Sequence, residues 1–398
     1  MPRLSIYPEY TPGSHSIHDP HPSHRNMPEQ RKTSQSLLPP LPRWWKWNMA
    51  HFYQGNTLAE EPNSSQFSVP KPHPKFQFPK DDGSHPDFRI EWWYISSHLF
   101  GTSGRRFSLQ ATFFRLAHEK ENYFLSHMAL GDIKNKSFHY DERLSPESRS
   151  VYSRSERLDL QVRDWTLTET DDFGTMHLNA SAGRDHRLSL AFHPSKSRVL
   201  FGEEGLTQKD TDPSVSSYYI TWPRLTVEGT LQQSETKVSV TGEAWMDHEI
   251  ASRQLGDRQI GWDWLQMQFF DSWEMTAYRI RYEDNRRPVC AMTWIDPHGK
   301  LFHVSPDKFQ WNPGHSWISP ETNANYPISP SLETDDPRTG QLTRFEFHPL
   351  IEKQELCGAR GVIYWEGAGN VVNEQRQIIA HSFLELTGYA GRLSEIVR

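Results

Sequence analysis

The sequence predicts an all-β protein, a sandwich or barrel in two successive halves behind an N-terminal extension. Three observations carry this. Short runs rich in β-branched and aromatic residues recur about every ten residues, with turn chemistry between them. No long amphipathic helical stripe and no alternation of strands with helices is present, which argues against a parallel sheet. Near His85 a tract rich in Pro, Ser, His and Gln gives way to these runs.

The chain has 398 residues, a length that suits two domains. Hydrophobic residues make up only 35 %, but aromatics reach 13 % and there are 15 tryptophans. Large aromatics each bury much apolar area, so a folded part beside a disordered part is expected. The net charge of −7 is spread without blocks of like charge, which gives no reason to expect nucleic acid as a partner. Cys290 and Cys357 form neither a CxxC nor a zinc spacing and read as ordinary thiols. No run approaches the ~20 apolar residues of a membrane-spanning helix. The N-terminus shows no apolar core of a secretory signal.

Residues 1–84 read as a disordered extension. Within it, His15, His18, His21 and His24 recur among prolines, a weak metal-binding pattern or simply His-rich disorder. Trp44, Trp45 and Trp47, beside Arg43 and Lys46, suit peripheral contact with a membrane interface or docking on the folded part. Strand-like runs follow at 91–99, 106–116, 123–132, 158–169, 175–182, 187–193, 218–231, 237–247, 262–270 and 274–282. They resume at 361–366, 371–373 and 377–387. A pause at 251–261 divides the folded part into 85–255 and 256–398. The Pro-, Ser- and Asn-rich stretch 312–340 reads as a long loop, of the kind that often acts as a lid.

Common catalytic signatures are missing. There is no GxSxG elbow, no P-loop and no GxGxxG after a strand. His248-Glu249-Ile250-Ala251-Ser252 begins like a zinc-protease helix, but Ser252 stands where the second histidine belongs. No metal site and no cofactor are expected.

Three segments concentrate chemistry. In Trp245-Met246-Asp247-His248-Glu249, strand alternation puts Trp245, Asp247 and Glu249 on one face and His248 on the other. Two carboxylates beside a tryptophan inside a barrel would raise at least one pKa and so prepare a general acid. The bland alternative is salt bridges from these acids to Arg115 or Arg279. In Glu91-Trp92-Trp93-Tyr94, Glu91 and Trp93 face one way, Trp92 and Tyr94 the other. The aromatics suit an apolar ligand, although a first-strand tryptophan also plugs barrels of this kind. In Trp262-Asp263-Trp264-Leu265-Gln266, mixed Trp and Gln suit a cavity with a few polar handles. Gln110, Arg115, Tyr218, Tyr219 and Tyr278 add hydrogen-bonding groups, or build a satisfied network within the barrel.

Glu91–Tyr94, Gln110–Arg115, Trp245–Glu249 and Gly261–Trp264 occur in an order that resembles the AttH/carotenoid 1,2-hydratase (hydroxyneurosporene synthase) family. Segments 202–206, 364–367 and 384–389 extend the match over 85–391. The resemblance implies two consecutive lipocalin-like (calycin) antiparallel β-barrels. It implies relatives that hydrate isoprenoid or prenyl double bonds, pericyclases of the same fold, and exported proteins labelled as hydrolases or transport-associated. An exported or periplasmic setting follows from the family, without a visible signal peptide to match it.

Two functions fit. One is a cofactor-independent hydratase that protonates an alkene of an apolar isoprenoid or lipid-like substrate. Asp247 then serves as acid, with His248, Glu249 or Glu91 on water. Trp92, Trp93, Tyr94, Gln110, Arg115, Trp245, Trp262, Asp263, Trp264 and Tyr278 form the binding surface. The other is a non-catalytic carrier of an apolar ligand. Asp247 paired to arginine in a dry barrel would favour the carrier. An apolar pocket reaching an unpaired carboxylate would favour catalysis.

Overall fold

The computed structural model describes residues 67–391, apart from 103, 119–120 and 359–361. The four extension histidines and Trp44, Trp45 and Trp47 lie outside the described residues. Among the described residues the chain forms antiparallel strands and one short 3-10 turn, Lys80–Asp82. The strands make two barrel-like sheets, one of 13 strands and one of 10. One is nearly closed and the other is a half-barrel. The first sheet ends at Arg253 and the second begins at Gln259.

Burial shows which strands matter for function. Met176–Ala182, on the outer wall, alternates buried with exposed positions, because only one of its faces is covered. Ile90–Gly101 is buried without a break from Ile90 to Leu99, because both faces are covered. Trp93, Ile95 and Leu99 enter the first core with Phe107, Leu109, Phe113 and Met246. Trp92 and Tyr94 face the second sheet, where Trp92 stacks on Trp262 at 6.3 Å and Tyr94 meets Trp264 edge-on at 5.5 Å. Gln259–Phe269 mirrors this, with Leu265, Met267 and Phe269 in the second core.

The expectation that the Asp247 face lies inside a barrel is therefore corrected. Trp93, Ile95 and Met246 look into the first core, and Asp247 and Glu249 point the other way, into the space between the two sheets. Ionisable groups are costly in an aliphatic core, whereas the space between the sheets offers hydroxyls and indoles from both of them and the Lys209 ammonium from the first half. Polar bonds hold this seam. Between Trp222 and Leu225 the ladder of Ser216–Gln233 is irregular at Pro223 and Arg224. Gln268 Nε2 donates to Pro223 O and Ala244 O, both at 2.9 Å, and Arg224 Nε donates to Glu274 Oε1 at 2.6 Å.

Two further expectations change. The stretch 312–340 is no loop: Phe309–Ile318 and Asn325–Asp336 pair as a hairpin. Its prolines sit where the ladder tolerates them. Pro313 lies in an end strand of the sheet, and Pro327 and Pro330 precede the part of their strand that pairs on both sides. The extension, placed at 1–84, is ordered over 67–84. Ser84 N donates to Arg154 O, Trp93 Nε1 to Asp82 O at 2.9 Å, and Arg198 Nε to Asp82 Oδ1 at 2.9 Å. This strap satisfies its polar groups through side chains and irregular contacts, which leave no periodic pattern in a sequence.

Candidate functional site

Between the sheets lies a cavity of about 90 Å³. Trp92, Tyr94, Thr112 and Phe114 come to it from the first sheet, with Asp247 and Glu249 beside them. Trp262, Trp264, Tyr278, Tyr364 and Glu385 come from the second. Lys209 and Gln254 close one side.

Asp247 is 3 % exposed. Its Oδ1 accepts from Thr221 Oγ1 at 2.6 Å and from Trp245 Nε1 at 2.8 Å, and its Oδ2 from the Tyr219 hydroxyl at 2.9 Å. Among the described residues it has no salt bridge; all three donors are neutral. Burial pushes its carboxyl up to about 7, and the Glu249 charge adds to this against the three hydrogen bonds. Trp264 Nε1 donates to the Tyr219 oxygen at 3.1 Å, so the second sheet braces the hydroxyl that holds Asp247.

Two other acids line the cavity. Glu249 is bonded by Lys209 and by Ser217 Oγ, and Lys209 also reaches Gln254. The Lys209 ammonium lies 5.6 Å from the centre of the Trp92 ring. Glu385 Oε2 accepts from Trp262 Nε1 at 2.8 Å. Burial pushes Glu385 up to about 7 as well; the Glu249 and Asp247 charges add to this, while the Trp262 bond and the Lys209 charge oppose it. The site thus holds carboxyls that can carry a proton near neutral pH, beside stacked indole faces.

The sequence-derived residues divide between this cavity and other places. Asp247, Glu249, Trp92, Tyr94, Trp262, Trp264 and Tyr278 line it. Trp245 stands behind Asp247, and Gln110 stands behind Thr112 and Tyr364, to which its amide donates. Trp93 is core. Asp263 turns away and is paired by Arg279 Nε at 2.6 Å and Arg281 Nε at 2.9 Å. Glu91, His248 and Arg115 form a separate cluster on the opposite face of their strands. Glu91 Oε1 meets His248 Nε2 and His85 Nδ1, each at 2.8 Å, and Glu91 Oε2 accepts from Arg115 Nε at 3.1 Å. His248 stacks on Trp93 at 4.7 Å, on the far side of the strand from Asp247.

Burial pushes Glu91 up, but bonds from His248 and His85, with the charges of His85 and Arg115, hold it well below the carboxylate range. Asp81 and Glu91 push His85 up to about 9 against its burial. Arg115 also donates to the carbonyls of His85 and Phe88, both at 2.8 Å, which ties down the strap. Potential ligand atoms of His85, Glu91 and His248 lie within 4.8 Å of one another. The shape resembles a metal triad, but both His85 nitrogens already meet carboxylates and Arg115 holds the second Glu91 oxygen. These bonds fit a proton-bearing ion-pair cluster better than a metal centre.

Sequence reasoning missed Lys209, Thr221, Tyr364 and Glu385. Glu385 carried a signal, a lone acid between leucines in a terminal strand. Lys209 carried none, since it sits in a turn-rich segment between strands.

Fold and site together define a class: double-sheet β proteins with an aromatic and acidic cavity between the sheets. The sequence matches the AttH-like family over residues 69–389, and the chain belongs to that family. The crystal structure of an AttH candidate from Nitrosomonas europaea is 30 % identical, with a TM-score of 0.74, over 81 % of this chain and 99 % of that one. Kievitone hydratase from Nectria haematococca shares the fold at 14 % identity and a TM-score of 0.60, over 82 % of this chain and 98 % of its own. No curated protein matches this chain by sequence.

Proposed function

We propose that the protein is a cofactor-independent, hydratase-type enzyme acting on an alkene in an apolar isoprenoid or lipid-like substrate. One observation carries the reading: Asp247 faces an apolar aromatic cavity, bonded only to neutral donors and pushed up to about 7. Such an acid is half protonated at neutral pH and can protonate a trisubstituted double bond. The cation that forms lies among Trp92, Trp262 and Trp264, whose ring faces stabilise positive charge by about 2 kcal/mol when water is excluded. Water then adds to the cation, and its surplus proton returns to the Asp247 carboxylate. Glu249, already held by Lys209, supplies negative charge nearby. Glu91 and His248, on the other face, take no part. The hydration recorded in the name of the Nectria structure agrees with this chemistry, although that likeness extends to the fold alone.

A second reading, a carrier of apolar ligands, uses the same aromatic walls without the proton. Native mass spectrometry after incubation with a lipid and isoprenoid extract separates the two. A bound species heavier than its input by one water supports the hydratase, provided Asp247→Asn abolishes the gain. A ligand retained unchanged supports the carrier.

A further inference from the structure

Behind the cavity, on the same inter-sheet face, sits a group of buried polar side chains that the reaction above does not use. Glu366 is 2 % exposed, and among the described residues neither of its oxygens makes a well-formed hydrogen bond; the Tyr94 hydroxyl is the donor beside it. It stands directly opposite Glu385 in the pairing of Ile363–Val372 with Ile378–Thr387. Close by, the Tyr94 hydroxyl, Ser96 Oγ and Gln110 Oε1 are also buried without a well-formed hydrogen bond among the described residues, the Tyr94 hydroxyl lying beside both Ser96 and Glu366. These groups are contiguous. Ser96 and Gln110 are cross-strand neighbours. Gln110 Nε2 donates to the Tyr364 hydroxyl at 3.2 Å, and Tyr364 and Tyr94 both feel the Glu366 carboxyl. Tyr94, Tyr364 and Glu385 are themselves walls of the cavity, so the group lies directly behind that wall.

A carboxylate this deep, with no cation beside it among the described residues, only the Tyr94 hydroxyl as a nearby donor and a second acid facing it, cannot hold a charge cheaply. Burial and Glu385 push Glu366 well above the carboxylate range. As a neutral acid, Glu366 both donates and accepts. With two hydroxyls and an amide oxygen it presents the mixed valences that a water molecule satisfies, and buried waters make about three such bonds.

We propose that Glu366, Tyr94, Ser96 and Gln110 form an internal water-binding site that feeds the nucleophile into the cavity past Tyr94. The delivery role rests on the hydratase reading; the water site itself does not. In the reaction, the oxygen of a delivered water forms the new C–O bond to the cation. One of its O–H bonds breaks, and that proton goes to the Asp247 carboxylate left by the first step. Alkene and water give alcohol, and the protein ends as it began. Glu366 acts through water and is a positioning residue.

The test compares wild type with Glu366→Gln, which keeps a donor and an acceptor, and with Glu366→Leu, which keeps neither. Ser96→Ala serves as a milder second variant, in case Glu366→Leu fails to fold. Crystal structures at a resolution that shows waters give the first readout. Wild type and Glu366→Gln should hold ordered water bonded to Tyr94 and to Ser96 or Gln110; Glu366→Leu should lose it, and Ser96→Ala should lose the bond at position 96. The second readout is product partition on an acyclic isoprenoid alkene. In Glu366→Leu, hydration should fall about tenfold or more relative to double-bond isomerisation, the fate of a cation without water, with KM unchanged. A dry cluster in wild type overturns the inference, and so does an unchanged product ratio in Glu366→Leu. If no alkene is turned over at all, the hydratase reading fails while the crystallographic arm still decides the water site.

Discussion

Replacing Asp247 by Asn should remove activity and, at alkaline pH, stabilise the protein. The folded carboxyl titrates at about 7 against an ordinary 3.8, a rise caused chiefly by burial. A carboxyl raised on folding keeps its proton in the native state over a range where the unfolded chain has lost it. Stability therefore falls as pH rises from about 4 to about 7, and the full penalty remains above that. At 1.36 kcal/mol per unit, the shift corresponds to about 4 kcal/mol. Asparagine has no charge to desolvate, so it escapes this term. It also fits the bonds from Thr221, Trp245 and Tyr219 less well, at a cost of about 1 kcal/mol. The variant should thus be slightly less stable than wild type below pH ~4 and about 3 kcal/mol more stable above pH ~8. Denaturant unfolding at a series of pH values measures the difference directly. A stability difference that stays flat with pH would refute the claim that Asp247 is a desolvated, unpaired acid. Turnover measured in parallel should be lost at every pH.

Other expectations follow from the same geometry. Wild-type turnover should decline as pH rises through about 7, where Asp247 loses its proton, as read from a pH–rate profile. Glu91→Gln leaves buried Arg115 without its counter-charge and His85 with Asp81 alone, and should destabilise by about 3–5 kcal/mol, with faster proteolysis of the strap over 67–89. In wild type the His85 contribution is full below pH 6.5 and is lost as pH rises through about 9; Glu91→Gln should reduce that dependence in denaturant titrations, Asp81 keeping part of it. Trp262→Leu removes one face of the cation site and should cut kcat by about tenfold with little change in KM; a change in KM alone would make Trp262 a mere contact. Trp93→Ala should cost about 3–5 kcal/mol of stability while the folded fraction keeps its specific activity, since Trp93 lies in the core.

Strand alternation in the sequence resolved much of the site. It separated Asp247 from His248 and Trp92 from Trp93, and the structure keeps those partitions. It could not say what each face meets. A strand covered on both sides has no solvent side, so Ile90–Leu99 offers no clue as to which face looks into its own barrel and which across the seam. Hence Glu91, an acid beside two tryptophans, read as a partner for Asp247 when it belongs to the ion-pair cluster that holds the strap. Lys209 and Glu385 approach Asp247 from segments far away in sequence, Lys209 through strand pairing within the first sheet and Glu385 through the meeting of the two sheets. The hairpin at Phe309–Ile318 and Asn325–Asp336 was hidden for another reason. Its prolines are turn signals wherever a strand needs donors on both sides, and here they sit where it does not.

The cavity belongs to neither sheet by itself. Asp247 takes its hydrogen bonds from the first sheet, yet the Tyr219 hydroxyl that supplies one of them is steadied by Trp264 of the second. Each half, made alone, would turn a tryptophan-rich acidic wall toward water and would tend to self-associate. A bound ligand touches both walls and so acts as a fastener: any compound that fits should raise the melting temperature of both halves together, in a single transition. A screen for thermal shifts therefore needs no prior guess about the reaction to find the natural ligand.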